Sequence, residues 1–261
     1  MPQRIKDIII VIAIAFTLTS CYHNKHLVYL QDKSLRKGSE VVVDNKLSDY
    51  RLQPSDIISV QVRGAGEDLA SNVFNVAPLQ GTPYATPGNL FLEGYSISSG
   101  GAITMPVLGE LHVKGLTIEE ARALITSRAE KYLRSPVVLI KLTNFKVTVL
   151  GEVKNPGYYY VYNERVTILE ALGLAGDLTT FGDREQLKLI RQQDGKSRTV
   201  MINLTDPNLL SSNYFYLMPG DVLYVQPLAA RAKRTNLEVM NVVFGGLTTI
   251  VLIMSFIASQ N

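Results

Sequence analysis

Apolar and polar residues alternate in "IISVQV", Ile57 to Val62, and in "VLYVQ", Val222 to Gln226, the pattern of half-buried strands. Each run follows a Pro-x-Asp turn, Pro54-Ser55-Asp56 in one case and Pro219-Gly220-Asp221 in the other. Proline sets φ at a turn's first central position, glycine can take positive φ, and aspartate bonds nearby amides. Between these two echoes the period becomes helical. "GLTIEEA", Gly115 to Ala121, and "RVTILEA", Arg165 to Ala171, place Thr117 with Glu120 and Thr167 with Glu170 at capping-box spacing. The first helix is expected to run to about Leu133, with Ile118, Ala121, Leu124, Ile125, Ala129 and Tyr132 on one face. Pro136 forbids its continuation, and "VVLIKL" reads as a strand. The second helix is short and ends near Gly176.

Strands precede both helices, in "AITMPVLGELHV" and in "KVTVLGEVKNPGYYYV". Asn155-Pro156-Gly157 predicts a hairpin between Val147–Val153 and Tyr158–Tyr162, and Asp194-Gly195 predicts another inside "QLKLIRQQDGKSRTVMINL". The middle therefore reads as two small α+β units, each a twisted sheet with a helix across it.

The ends differ from this middle. Ile8 to Phe16 is uninterrupted apolar sequence behind Arg4 and Lys6. It suits a signal-peptide core and falls short of the ~20 residues of a membrane span. "LTSC" closes it, and Cys21 is the single cysteine of the chain. Residues 22–48 are polar and read as a tether, with one short strand around Val41–Val43. From Leu237 to Ala258 only Glu238 is charged, which predicts a helix long enough to cross a bilayer. Asn241, Thr248 and Ser255 fall on one stripe of it, with Glu238 and Gly245 in the row beside. A polar stripe in lipid must face protein or water. Copies side by side would line a pore; close packing of two helices is the alternative.

Composition narrows the classes. The chain is 46% hydrophobic and 19% charged with net charge +3, and no Lys/Arg patch interleaved with aromatics argues for nucleic acid. One cysteine excludes an internal disulfide framework and a cysteine zinc site, and His23, His26 and His112 form no HExxH. No GxSxG, P-loop or GxGxxG is present, so no enzyme, cofactor or metal is expected. Glu119 and Glu120 read as solvated first-turn charge. Tyr158, Tyr160 and Tyr162 share a strand face and are expected to pack on the sheet, sugar stacking being the alternative. Residues 65–90 read as a long, weakly charged loop.

"LTSC" resembles a bacterial lipobox, with Leu18 at −3, small Thr19 and Ser20, and Cys21 at +1. That resemblance implies cleavage before Cys21 and its acylation; Tyr22 in place of Asp then implies the outer membrane. The other reading is a buried cysteine in an uncleaved anchor. "GEVKNPGYYYV", "TILEALGLAGDL", "LKLIRQQDGK" and "LMPGDVLYVQP" together resemble the SLBB type of β-grasp module. "YRLQPSDIISVQV", "GAITMPVLGELHVKGLTIEEARALI" and "YLRSPVVLIKL" resemble the N-terminal domain of the outer-membrane polysaccharide export lipoprotein (OPX) family.

The resemblance implies a division into signal peptide 1–20, tether 21–48, export domain 49–144 and SLBB domain 145–227. A basic linker and transmembrane helix would occupy 228–261. It implies a homo-oligomeric ring whose C-terminal helices form the channel, with Asn241, Thr248, Ser255, Glu238 and Gly245 lining it. The expected partners are an inner-membrane copolymerase (tyrosine-kinase type or chain-length regulator), outer-membrane lipid and a capsular or exopolysaccharide. Family members often carry a second SLBB module; here Pro227 leads almost directly to the terminal helix, so a shorter vestibule is expected. A membrane-anchored periplasmic β-grasp protein that binds a soluble ligand without a pore is the competing function.

Overall fold

The computed structural model describes residues 27–32, 38, 40–64, 73–75, 94–193 and 195–229, and positions 242, 245–246, 248–250 and 253. The first sheet centres on β1 (Ile57–Arg63), which pairs antiparallel with the short β2 (Tyr95–Ser96) on one side and β5 (Val137–Leu142) on the other. A hairpin of β3 (Ala102–Met105) and β4 (Gly109–His112) and the helix α1 (Ile118–Ala129) complete this half. Thr117 and Glu120 close the expected capping box. Ala121, Ile125 and Ala129 are buried with Ile58, Val60, Val62, Leu111 and Ile140 in one core. The helix stops at Ala129, short of Leu133. Leu133 is buried nonetheless, while Tyr132 is 59% exposed and tilts against the Phe74 ring.

The second half is a five-stranded mixed sheet in the order β10-β9-β12-β6-β7. Its strands are β6 (Lys146–Gly151), β7 (Gly157–Tyr160), β9 (Gly182–Gln193), β10 (Lys196–Ile202) and β12 (Val222–Pro227). Only the β12–β6 pair is parallel. The hairpins β6–β7 and β9–β10 form where the turn residues predict them. Helix α2 (Ile168–Leu174) carries the second capping box, Thr167 with Glu170, and ends before Gly176 at φ 76°. Ile168, Ala171 and Leu172 pack on Val147, Val149, Leu187, Leu189, Leu223 and Val225. The short pair β8 (Val166–Thr167) and β11 (Tyr216–Leu217) holds the strand-to-helix entry.

Asn144, at the end of the first half, is bonded back to the start of β1. Its Oδ1 accepts from Ile57 N at 3.1 Å and its Nδ2 donates to Ser55 O at 3.2 Å. Part of the polar N-terminal segment docks on the second half. Leu30 N donates to Leu204 O at 2.9 Å, Gln31 N to Thr205 O at 2.7 Å, and the Tyr29 hydroxyl to Asp177.

Two expectations are corrected. Val41–Val43 form no strand: among the described residues no strand lies beside them to take up the ladder, and Val42 is 84% exposed. The C-terminal transmembrane helix is not supported: among the described residues no helix is long and apolar enough to cross a membrane. A crossing needs about 20 continuous apolar residues. Val242, Gly245, Gly246, Thr248 to Ile250 and Ile253 are the helical positions described at this end. The α+β reading of the middle stands without that third part.

Candidate functional site

The two Pro-x-Asp echoes fold into the same turn. In Gln53-Pro54-Ser55-Asp56, Asp56 N donates to Gln53 O at 3.1 Å and Gln53 N donates to Asp56 Oδ2 at 2.8 Å. In Met218-Pro219-Gly220-Asp221, Asp221 N donates to Met218 O at 3.1 Å and Met218 N to Asp221 Oδ2 at 2.8 Å. Each aspartate thus satisfies an amide three residues back and then starts a strand.

The remaining partner differs. Asp56 accepts from the Tyr50 hydroxyl at 2.8 Å. Burial holds its carboxyl above the usual range, against the lowering effect of the Gln53 amide and the Tyr50 hydroxyl. Burial, and then the Asp56 carboxylate, push the Tyr50 hydroxyl up as well, so Tyr50 stays a donor. Asp221 instead meets Arg191. The guanidinium donates from Nη2 to Oδ2 at 2.7 Å and from Nε to Oδ1 at 2.9 Å, a two-pronged grip. Nη2 also donates to Tyr216 O at 3.3 Å, and the guanidinium lies 5.7 Å from the centre of the Tyr214 ring.

Pro54 of the first turn and Met218 of the second line one cleft of about 720 Å³ between the two halves. Tyr50, Gln53, Lys114, Arg191, Arg198 and Tyr214 are among its walls. Arg51 braces the rim, donating from Nη1 to Gly115 O at 2.7 Å and pairing with Glu120 Oε2 at 3.2 Å. Its polar walls suit a hydrophilic, hydrogen-bonding ligand.

Of the residues that sequence reasoning singled out, only some are described. Cys21, Glu238, Asn241 and Ser255 lie outside the described residues. Gly245 and Thr248 are exposed helical positions, and the hydroxyls of Thr248 and Thr249 donate back to Gly245 O at 2.9 and 2.8 Å. The tyrosine row does not pack into the sheet as expected. Tyr158 is 65% and Tyr162 80% exposed, and the Tyr158 and Tyr160 rings meet edge to face at 5.9 Å. The cause is the face: Tyr158 and Tyr160 stand opposite Thr148 and Lys146 on the outer side of the sheet, while Tyr159, opposite the buried Val147, packs against the core.

Sequence reasoning passed over Arg191, Lys114, Arg198 and Tyr214. Arg191 did leave a trace. Leu187, Leu189 and Arg191 share one phase of β9, so alternation alone puts a charge on the core side and calls for a buried partner. The others come together only because two distant parts of the chain face each other.

Comparison with known proteins agrees with this two-part build. The family described as "Polysaccharide biosynthesis/export protein" matches residues 44–143, and the SLBB domain matches residues 146–201. The chain belongs to the outer-membrane polysaccharide export family. It is similar to the "EPS I polysaccharide export outer membrane protein EpsA" of Ralstonia solanacearum, 28% identical over 193 residues, 70% of this chain and 49% of that protein. The protein of the same name from Ralstonia nicotianae is 28% identical over 192 residues, 69% of this chain and 48% of that one. The chain spans about half the length of these curated relatives.

Proposed function

We propose that this protein exports a capsular or extracellular polysaccharide across the outer membrane. The observation that carries the reading is the succession of an export domain and an SLBB domain, each matched in order and each with its own buried core. The name of the relatives adds the polymer class and the membrane. In this reading the chain divides at 49–144 and 145–227, Cys21 carries the lipid anchor, and identical copies close into a ring. An inner-membrane copolymerase delivers the polymer. The hydroxyl and amide row of Asn241, Thr248 and Ser255, with Glu238 and Gly245, faces the polymer, with no membrane-crossing helix assigned to it.

Deleting the chain from its host tests the transport role. Secreted glycan should fall to background while glycan accumulates inside the cell; undiminished secretion would end the reading. Native mass of the detergent-purified protein tests the ring, which predicts a closed multimer in place of a monomer or dimer.

A further inference from the structure

The cleft between the two halves has a composition that the export role does not by itself require. Its walls present four cationic side chains, Arg51, Lys114, Arg191 and Arg198, against Asp49 as the acidic wall residue among those described. Two of the four are already committed. Arg191 is neutralised by Asp221, and Arg51 by Glu120. Lys114 and Arg198 are exposed, and among the described residues neither takes part in an ion pair. They come from opposite walls: Lys114 follows β4 in the first half, and Arg198 belongs to β10 in the second. A ligand held by both must therefore bridge the halves.

The other groups define its chemistry. Gln53, Gln193 and Asn213 bring amides that both donate and accept, which matches the paired hydroxyls of a sugar ring. Tyr214 adds a flat amphipathic ring at the wall, its orientation held by the Arg191 guanidinium 5.7 Å from its centre. The cleft, at about 720 Å³, is within the ~300–1,000 Å³ common for ligand sites. Cations of like sign in a walled cleft concentrate an anionic ligand.

We propose that this cleft binds a short stretch of an acidic, carboxylate-bearing glycan, with Lys114 and Arg198 holding sugar carboxylates from opposite sides. The inference rests on the export reading for its polymer and adds the polymer's charge class and the place of contact. An acidic peptide would satisfy the cations and leave the amides and Tyr214 without a purpose.

Calorimetric titration of the full chain in detergent with tetragalacturonate is the test. Binding should be seen, should weaken as salt rises, and should fall about tenfold or more in the Lys114→Gln/Arg198→Gln double variant. Both side chains are exposed, so the variant keeps its fold, which its unfolding midpoint checks. Maltotetraose, the uncharged control, should bind far more weakly. No tetragalacturonate binding, equal binding of maltotetraose, equal binding of tetraglutamate, or an unaffected double variant would each overturn the proposal. The host deletion separates the two ideas. Lost secretion without tetragalacturonate binding removes the cleft assignment alone, whereas undiminished secretion removes the export reading whatever the titration shows.

Discussion

Ser55 and Gly220 occupy the same turn position in the two halves of the molecule, at φ 74° and φ 83°. Both follow a proline and precede the aspartate that folds back onto the turn. The second turn fills this left-handed position with the residue that tolerates it; the first uses serine and bears the strain.

Ser55→Gly should therefore stabilise the protein by about 0.5–1 kcal/mol, part of the relief being offset by glycine's greater freedom when unfolded. Gly220→Ser should destabilise by about 1 kcal/mol. A Cβ at Gly220 meets no atom within 4 Å, so that loss is one of backbone conformation and not of space. Urea unfolding midpoints measure both. A Ser55→Gly protein less stable than the parent would show that the serine side chain contributes more than its backbone strain costs.

The Arg191–Asp221 pair is buried on both sides and closed by bonds to Tyr216 O and from Met218 N. Asp221→Asn leaves a charged guanidinium without its partner in the interior and should cost about 3–5 kcal/mol. Replacing both, as Arg191→Met with Asp221→Leu, should recover part of that, the Met218 amide still lacking an acceptor. A double-mutant cycle in denaturant reads the coupling. Additive single losses would show that the two charges act independently.

Asp56 makes stability depend on pH in a defined sense. Its folded carboxyl titrates above the ordinary 3.8, so the folded state holds the proton more tightly than the unfolded chain. The stability from this group is complete below that value and is lost as pH rises through the raised folded pKa. The unfolding free energy of the parent relative to Asp56→Asn should therefore fall as pH rises above 3.8 and through the raised folded pKa. A relative stability that rises over this range would mean that the amide and hydroxyl bonds to the ionised form outweigh its burial.

Gly151 ends β6 at φ 90°, where a Cβ would stand 2.0 Å from Val225 O on β12. That contact lies in the sheet's one parallel pair, so relief requires the strands to part. Gly151→Ala should cost upwards of about 3 kcal/mol and lower the thermal midpoint of the second half sharply. Gly195→Ala, at φ 71° with open space around it, should cost about 1 kcal/mol. Equal losses at the two sites would show that backbone conformation, and not the approach of β12, restricts Gly151.

Much of the fold was legible residue by residue. Both capping boxes, both predicted hairpins and the two Pro-x-Asp strand entries are local devices, each complete within a few residues. Less was legible where a neighbour decides. Tyr158 and Tyr160 alternate like packed strand residues, but they stand on the face away from the core that Tyr159 packs against, and sequence period does not say which face is covered. A run of apolar residues near the C-terminus satisfies a length rule for spanning, but among the described residues no helix is long and apolar enough to cross a membrane.

By itself the sequence determined the two capped helices, the two hairpins, the Pro-x-Asp strand entries and the family, because caps, turns and alternation depend on contacts within one turn or one strand. Only the tertiary structure decided that Arg191 faces Asp221 across 30 residues. It also brought Lys114 and Arg198 to opposite walls of one cleft, because long-range pairing is chosen by how two cores pack and not by any spacing along the chain.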